Sequence, residues 1–159
     1  MRAQYRIRRA RLKDLPRVLE IENASFGAEA YDRKLFADYY YKCCDLFLVA
    51  ERRGQVCGYI LTCPRGHPPT LRAELISVAV DPALRQGGAA SALLGSTLRR
   101  LRRRRVTQLR LMVRVTNQPA RAFYEKYGFQ RVRRIPAYYE DGGDAIAMAL
   151  AMRPHLGHV

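Results

Sequence analysis

The chain has no tryptophan, only four cysteines and three histidines in 159 residues, and 14 acidic side chains against 29 lysines and arginines. Each scarcity closes a class. Cys43, Cys44, Cys57 and Cys63 match neither a zinc-site spacing nor a disulfide framework, so ordinary buried or partly buried thiols are expected, and no metal. A cysteine nucleophile stays open as the sharper alternative, since only the fold decides what meets a thiol in space. No apolar run approaches the roughly 20 residues that a membrane helix requires, so no membrane partner is expected. The stretch from Met1 to Arg8 holds no apolar core and no cleavage site, which predicts a cytoplasmic, unprocessed protein. Repeats, low-complexity stretches and internal linkers are also missing. A single domain over 1–152 and a short tail over 153–159 are therefore expected.

What is present is a basic, globular composition. Hydrophobic residues make up 48% of the chain, enough for one compact core at this length. The net charge of +15 is carried by 25 arginines and only 4 lysines. Such a field attracts polyanions, although codon habit or a demand for heat stability accounts for arginine bias equally well. Arg99, Arg100 and Arg102 to Arg105 read either as a solvated helix end that complements the dipole or as a contact for ribosomal RNA.

Periodicity orders the elements. Tyr5 to Arg9 alternates as a strand, and Leu12, Leu15, Val18, Leu19 and Ile21 fall at helical spacing. Asn23 to Tyr31 reads as a loop, and Asp32 as the cap of a second helix carrying Leu35, Phe36, Tyr39 and Tyr40. Leu46–Ala50 and Val56–Leu61 flank Arg52-Arg53-Gly54-Gln55 as a hairpin, and proline-rich Pro64 to Thr70 is a loop before the strand Glu74 to Val80. A helix with the stripe Ala90, Leu93, Leu94, Leu98 and Leu101 follows. Leu109 to Val115 is a strand, Asn117 to Tyr127 a short helix ended by Gly128, and Phe129–Ile135 with Ala145–Leu150 a closing hairpin. The order is β-α-α-β-β-β-α-β-α-β-β.

The most informative segment is Arg85-Gln86-Gly87-Gly88-Ala89-Ala90, set between the strand ending at Val80 and the helix. Its spacing R-x-x-G-x-A leaves the first helical amides free of side chains, a cradle for phosphates at the positive end of the helix dipole. With Asn117 and Tyr124 downstream, this segment resembles the acetyl-CoA site of the GNAT acetyltransferases. Val113 to Phe129 is similar to the V-R-x-x-N-x-x-A-x-x-x-Y-x-x-x-G-F run of protein N-terminal acetyltransferases, bacterial and archaeal. Tyr138-Tyr139-Glu140-Asp141-Gly142-Gly143-Asp144-Ala145 resembles their Y-Y-x-D-G-E-D-A stretch. The resemblance implies an α/β (α+β) fold, the GNAT acyl-CoA N-acyltransferase fold, with a mixed central sheet of about seven strands.

The resemblance also implies an acetyl-CoA-dependent enzyme that acetylates protein N-termini, ribosomal proteins among them. Alternatives are a small-molecule amine acetyltransferase, or a catalytically impaired basic relative that binds RNA. Cofactor contacts are expected from Val78, Ala79, Val80, Arg85, Gln86, Gly87, Gly88, Ala89, Ala90, Ser91 and Asn117. Tyr124 stands where the family places the acid that protonates the CoA sulfur. The base is less direct, because Leu111-Met112-Val113-Arg114 stands where bacterial relatives read L-E-V-R. Glu74 is the first candidate and Glu29 the second. Phe26, Glu29, Tyr31, Tyr138 and Tyr139 are expected to hold the first residues of a peptide.

Overall fold

The computed structural model describes residues 4–85 and 87–152, and only the backbone of Cys44. The expected tail over 153–159 and the cofactor assignment of Gln86 lie outside the described residues. Eleven elements follow in the expected order: β1 (Arg6–Arg9), α1 (Leu15–Phe26), α2 (Arg33–Cys43), β2 (Phe47–Arg52), β3 (Gln55–Arg65), β4 (Arg72–Val80), α3 (Ala89–Arg103), β5 (Gln108–Arg114), α4 (Gln118–Lys126), β6 (Gln130–Ile135) and β7 (Ala145–Ala151). The seven strands run β1-β2-β3-β4-β5-β7-β6 across a mixed sheet. Contacts divide the chain into two compact units, one from Met1–Cys63 and Leu75–Arg103, the other from Pro64–Glu74 and Arg104–Val159. Strand β4 contributes residues to both.

In the first unit α1 and α2 cover antiparallel strands. Leu15, Val18 and Ile21 recur at three-residue steps on α1, and all are buried against Phe36 of α2 and Phe47, Val49, Tyr59 and Leu61 of the sheet. Each such side chain removed from water contributes roughly 1.5–3 kcal/mol. The Phe36 ring meets Tyr59 at 5.6 Å and Phe47 at 6.0 Å between centroids. Asp32 caps α2 as expected, its Oδ1 accepting from the Leu35 amide at 2.9 Å. Arg8 pins the β1 edge, bonding Asp14 at 2.8 and 3.0 Å and Glu51 at 2.7 Å.

Three expectations need correction. The loop expected over Asn23 to Tyr31 begins later, because nothing before Gly27 breaks the helix. α1 runs through Phe26, and Gly27, at a φ of 55° that other residues rarely adopt, ends it before one 3-10 turn over Gly27–Glu29. The loop expected from Pro64 also starts late, since proline's fixed φ suits extended backbone and β3 continues to Arg65. Cys43 and Cys63 are not free thiols but a disulfide, with Cα atoms 4.7 Å apart. The last turn of α2 packs on β3 and brings together two cysteines that are 20 residues apart in the chain. Chain entropy makes such a closure worth roughly 3 kcal/mol. Cys57 does remain a buried thiol, donating to the Ala50 carbonyl, and burial pushes its pKa up. That environment opposes the nucleophile alternative.

In the second unit β5 is central. Its first residues pair in parallel with β4 from Arg72↔Gln108 to Glu74↔Arg110, and its whole length pairs antiparallel with β7. β6 closes the other edge. Asn117 caps α4, its Oδ1 accepting from the Ala120 amide at 3.2 Å, and Pro119 sits in the first turn where its missing N–H costs nothing. Tyr124 ends up buried at 7% exposure, packed on Phe129 at 5.5 Å.

Candidate active site

The first unit holds the cradle. After β4, Asp81 caps a short turn by accepting from the Ala83 amide at 2.9 Å, and Arg17 bonds its other oxygen at 2.5 Å. Hydrogen bonds from Arg17 and from that amide hold the Asp81 carboxyl below the usual carboxylate range. Arg85 folds back to the Val80 carbonyl at 3.3 Å and to Ser25 at 3.1 Å, which ties the loop to the end of α1. Gly88 then adopts a φ of 91° with open space where a side chain would stand, and its carbonyl accepts the first helical bond of α3, from Ala92. The amides of Ala89, Ala90 and Ser91 precede that bond, so they have no intrahelical acceptor. Beside them, a Cβ on Gly87 would strike the Tyr5 hydroxyl. Ala89 is buried and Ala90 and Ser91 are half-buried; amides without an intrahelical acceptor at a helix N-terminus are the donors that anion sites use.

Along β4, alternation separates the two faces. Glu74, Ile76 and Val78 are half-buried on one, while Ala73, Leu75, Ser77 and Ala79 are buried on the other. Val80 is also buried. Glu74 pairs with Arg65 at 3.3 Å in a largely exposed bridge. Phe26 and Tyr31 are exposed at 37% and 39%, and Glu29 is exposed on the 3-10 turn that follows α1.

The second unit holds Tyr124, Asn117 and the tyrosine hairpin. Burial, with a smaller contribution from Tyr139, pushes the Tyr124 phenol further above its ordinary value, so it stays protonated through the neutral range. The backbone carbonyl of Tyr124 accepts from Tyr127 and Phe129 as the helix ends, which fixes the ring's root. Asn117 is exposed and uses its side-chain oxygen as the cap. Tyr138 is 48% exposed and meets Tyr139 edge-on at 5.0 Å.

Two aspartates hold that hairpin. Asp141 accepts from the Gly143 amide at 2.8 Å and from Arg114 at 3.1 Å, and Asp144 accepts from the Ala137 amide at 2.9 Å and from Arg134 at 2.7 Å. These bonds hold both carboxyls below the usual range. The Arg114 guanidinium also lies 4.1 Å from the centre of the Tyr139 ring, a cation–π contact. Met112 is exposed at 36% on β5 and carries no group able to take a proton.

Sequence reading gave Arg114 no role as a support for the hairpin and placed Glu22 only in the helical spacing of α1. Glu22 had a signal: it follows Ile21 and stands four residues after Val18, inside the apolar stripe of α1. It is 1% exposed.

A strand, an amide cradle and a helix, followed by a capped helix with a buried phenol, are the parts that the resemblance to acyl-CoA-using transferases implied. The chain belongs to the acetyltransferase (GNAT) family, whose model matches residues 15–129. It is 34% identical over 157 residues to an N-alpha-acetyltransferase of Sulfurisphaera tokodaii, covering 92% of each chain. The crystal structure of Ard1 from Thermoplasma volcanium superposes with a TM-score of 0.86 at 32% identity, over 94% of this chain and 98% of that one. A chain of the NatB acetyltransferase complex bound to CoA and MES matches at 26% identity and a TM-score of 0.79, over 93% and 99%.

Proposed function

We propose that the chain is an N-alpha-acetyltransferase, moving the acetyl group of acetyl-CoA to the N-terminal amine of a protein. The observation that carries this reading is the rigid tyrosine hairpin. Arg114, Asp141 and Asp144 hold Tyr138 and Tyr139 in place, and a small amine would need no such platform. The similarity to N-alpha-acetyltransferases supports the same substrate class. The amides of Ala89, Ala90 and Ser91 suit a pyrophosphate, with Arg85 four to six residues before them in the chain. The backbone of Val78, Ala79 and Val80 receives the cofactor arm.

In the reaction the amine nitrogen attacks the thioester carbon and a C–N bond forms. The C–S bond then breaks, its electron pair stays on sulfur, and sulfur takes a proton. We assign that proton to the Tyr124 phenol, which burial keeps protonated through the neutral range. The nitrogen loses one in turn, through water to Glu74 or to Glu29. An α-amine of pKa ~8 is about a tenth neutral at pH 7, whereas lysine at ~10.4 is neutral in a few parts per ten thousand. A weak base therefore suffices for an N-terminus and fails for lysine.

Glu74→Gln is accordingly expected to lower kcat about tenfold at pH 7, less than the roughly 10²–10⁴-fold typical of general acid–base catalysis because about a tenth of the amine is already neutral, and to approach wild type near pH 9. Full activity of the variant at pH 7 would overturn the assignment of Glu74 and leave the role to Glu29 or to water alone. The exposed arginines among Arg99 to Arg105 are suited to contact ribosomal RNA, which would bring the enzyme to nascent chains in the cytoplasm. Acetylation of short peptides beginning Ser, Ala or Met tests the activity. Inactivity across that panel, with acetyl-CoA bound, would contradict it.

A further inference from the structure

Glu22 is a buried carboxylate with no cation among the described residues to neutralise it. Three neutral donors converge on it instead. The Ser77 hydroxyl reaches Oε1 at 2.8 Å, the Tyr59 phenol donates to the same oxygen, and the Tyr31 backbone N–H reaches Oε2 at 3.0 Å. Tyr59 and Ser77 also lie within hydrogen-bond distance of each other, at 3.0 Å. Burial, and then the charge of Glu22, push the Tyr59 phenol far above its ordinary value, so it remains a donor at any working pH.

Removing a carboxylate from water costs several kcal/mol even after relaxation, and charge-assisted hydrogen bonds are what offset it. The donors that supply this offset come from three separate places: the segment before α2, strand β3 and strand β4. Tyr31 is held by its amide on Glu22 and by its ring, which meets Phe36 edge-on at 6.5 Å. Phe36 in turn packs against Tyr59. Ser77 directly precedes Val78, the first of the residues assigned to the cofactor arm.

We propose that Glu22 is a positioning residue for the acceptor peptide: its carboxylate ties the segment of Phe26, Glu29 and Tyr31 to the cofactor strand at Ser77, and so sets where a peptide N-terminus lies along β4. This rests on reading that segment as the peptide side of the site. Glu22 itself never meets substrate. Its effect is on registration, so it belongs to peptide KM rather than to acetyl-CoA affinity.

Glu22→Gln tests the tie while conserving shape. A carboxamide offers one acceptor oxygen where the carboxylate offers two, so the Tyr31 N–H and the Tyr59–Ser77 pair cannot both be satisfied. A hydrogen bond to a charged group contributes about 1.5–3 kcal/mol, which sets the expected changes at roughly tenfold or more. Hydrogen exchange at the Tyr31 amide is expected to quicken by that factor, peptide KM to rise by about the same, and kcat and the acetyl-CoA Kd to stay within about threefold. Tyr59→Phe, which leaves the Tyr31 bond intact, is expected to keep both the exchange rate and the peptide KM.

Unchanged Tyr31 exchange in Glu22→Gln would overturn the tie. Faster exchange with an unchanged KM would overturn the positioning role while leaving the tie standing. Should Glu22→Gln not fold, the wild-type protein still decides: a Tyr31 amide exchanging as fast as that of Asp32 would end the proposal. Failure of the activity reading looks different, since the wild type itself would then acetylate no peptide.

Discussion

Replacing Tyr124 by phenylalanine is expected to lower kcat about a hundredfold, the lower range for losing a general acid, while the acetyl-CoA Kd stays within about twofold. The ring is buried between Phe123 and Phe129, each 5.5 Å from it, and phenylalanine fills that space equally well. Only the hydroxyl is lost, and with it the proton for the departing sulfur. Because burial raises the Tyr124 pKa, the protonated form persists at every pH where the amine ionises. In the wild type kcat/KM should therefore climb toward the α-amine pKa of ~8 and show no decline attributable to Tyr124 below about pH 10. A kcat left within a few-fold of wild type would return Tyr124 to the core.

Gly88→Val is expected to produce the opposite pattern. Gly88 sits at a φ of 91°, where a β-branched residue is strained, and that backbone state leads into the first turn of α3, whose amides at Ala89, Ala90 and Ser91 have no intrahelical acceptor. Strain of this kind costs about 1–3 kcal/mol, or relaxes by turning those amides away, so acetyl-CoA Kd should weaken about 10- to 100-fold. At saturating acetyl-CoA, kcat should stay within about threefold, since the reacting groups are untouched. Equilibrium binding of CoA by calorimetry separates the two. Wild-type affinity in Gly88→Val would mean that the cradle is not the phosphate site.

Gly88 and Tyr124 were proposed from the sequence on different grounds. The cradle is local: strand, glycine and helix lie within a dozen residues, so spacing alone describes the backbone that an anion needs. Tyr124 was singled out by the resemblance of Val113 to Phe129 to protein N-terminal acetyltransferases, and Asn117 and Gly128, a cap and a stop, set it on one short helix. What escaped the sequence was non-local. Cys43 and Cys63 become partners only when α2 lies on β3. Arg114 finds Asp141 across 27 residues, and Glu22 finds Ser77 across 55. No periodicity carries such distances. Glu22 alone left a trace, as a charge within an apolar stripe, and an unsatisfied carboxylate at a core position is itself the prompt to look for donors. Glu74 was singled out by sequence, but its bridge to Arg65 was not, since that arginine belongs to a strand extension expected to be loop.

The claim at the centre is that the acceptor is an α-amine presented on a peptide. The most direct measurement is acetyl-CoA-dependent modification at pH 7 of a peptide that begins with serine and carries an internal lysine, with the modified nitrogen located by tandem mass spectrometry. Acetyl on the N-terminal nitrogen, with the lysine unmodified and an N-terminally blocked copy inert, is the predicted result. Acetyl on the lysine, or equal modification of the blocked copy, would contradict the account.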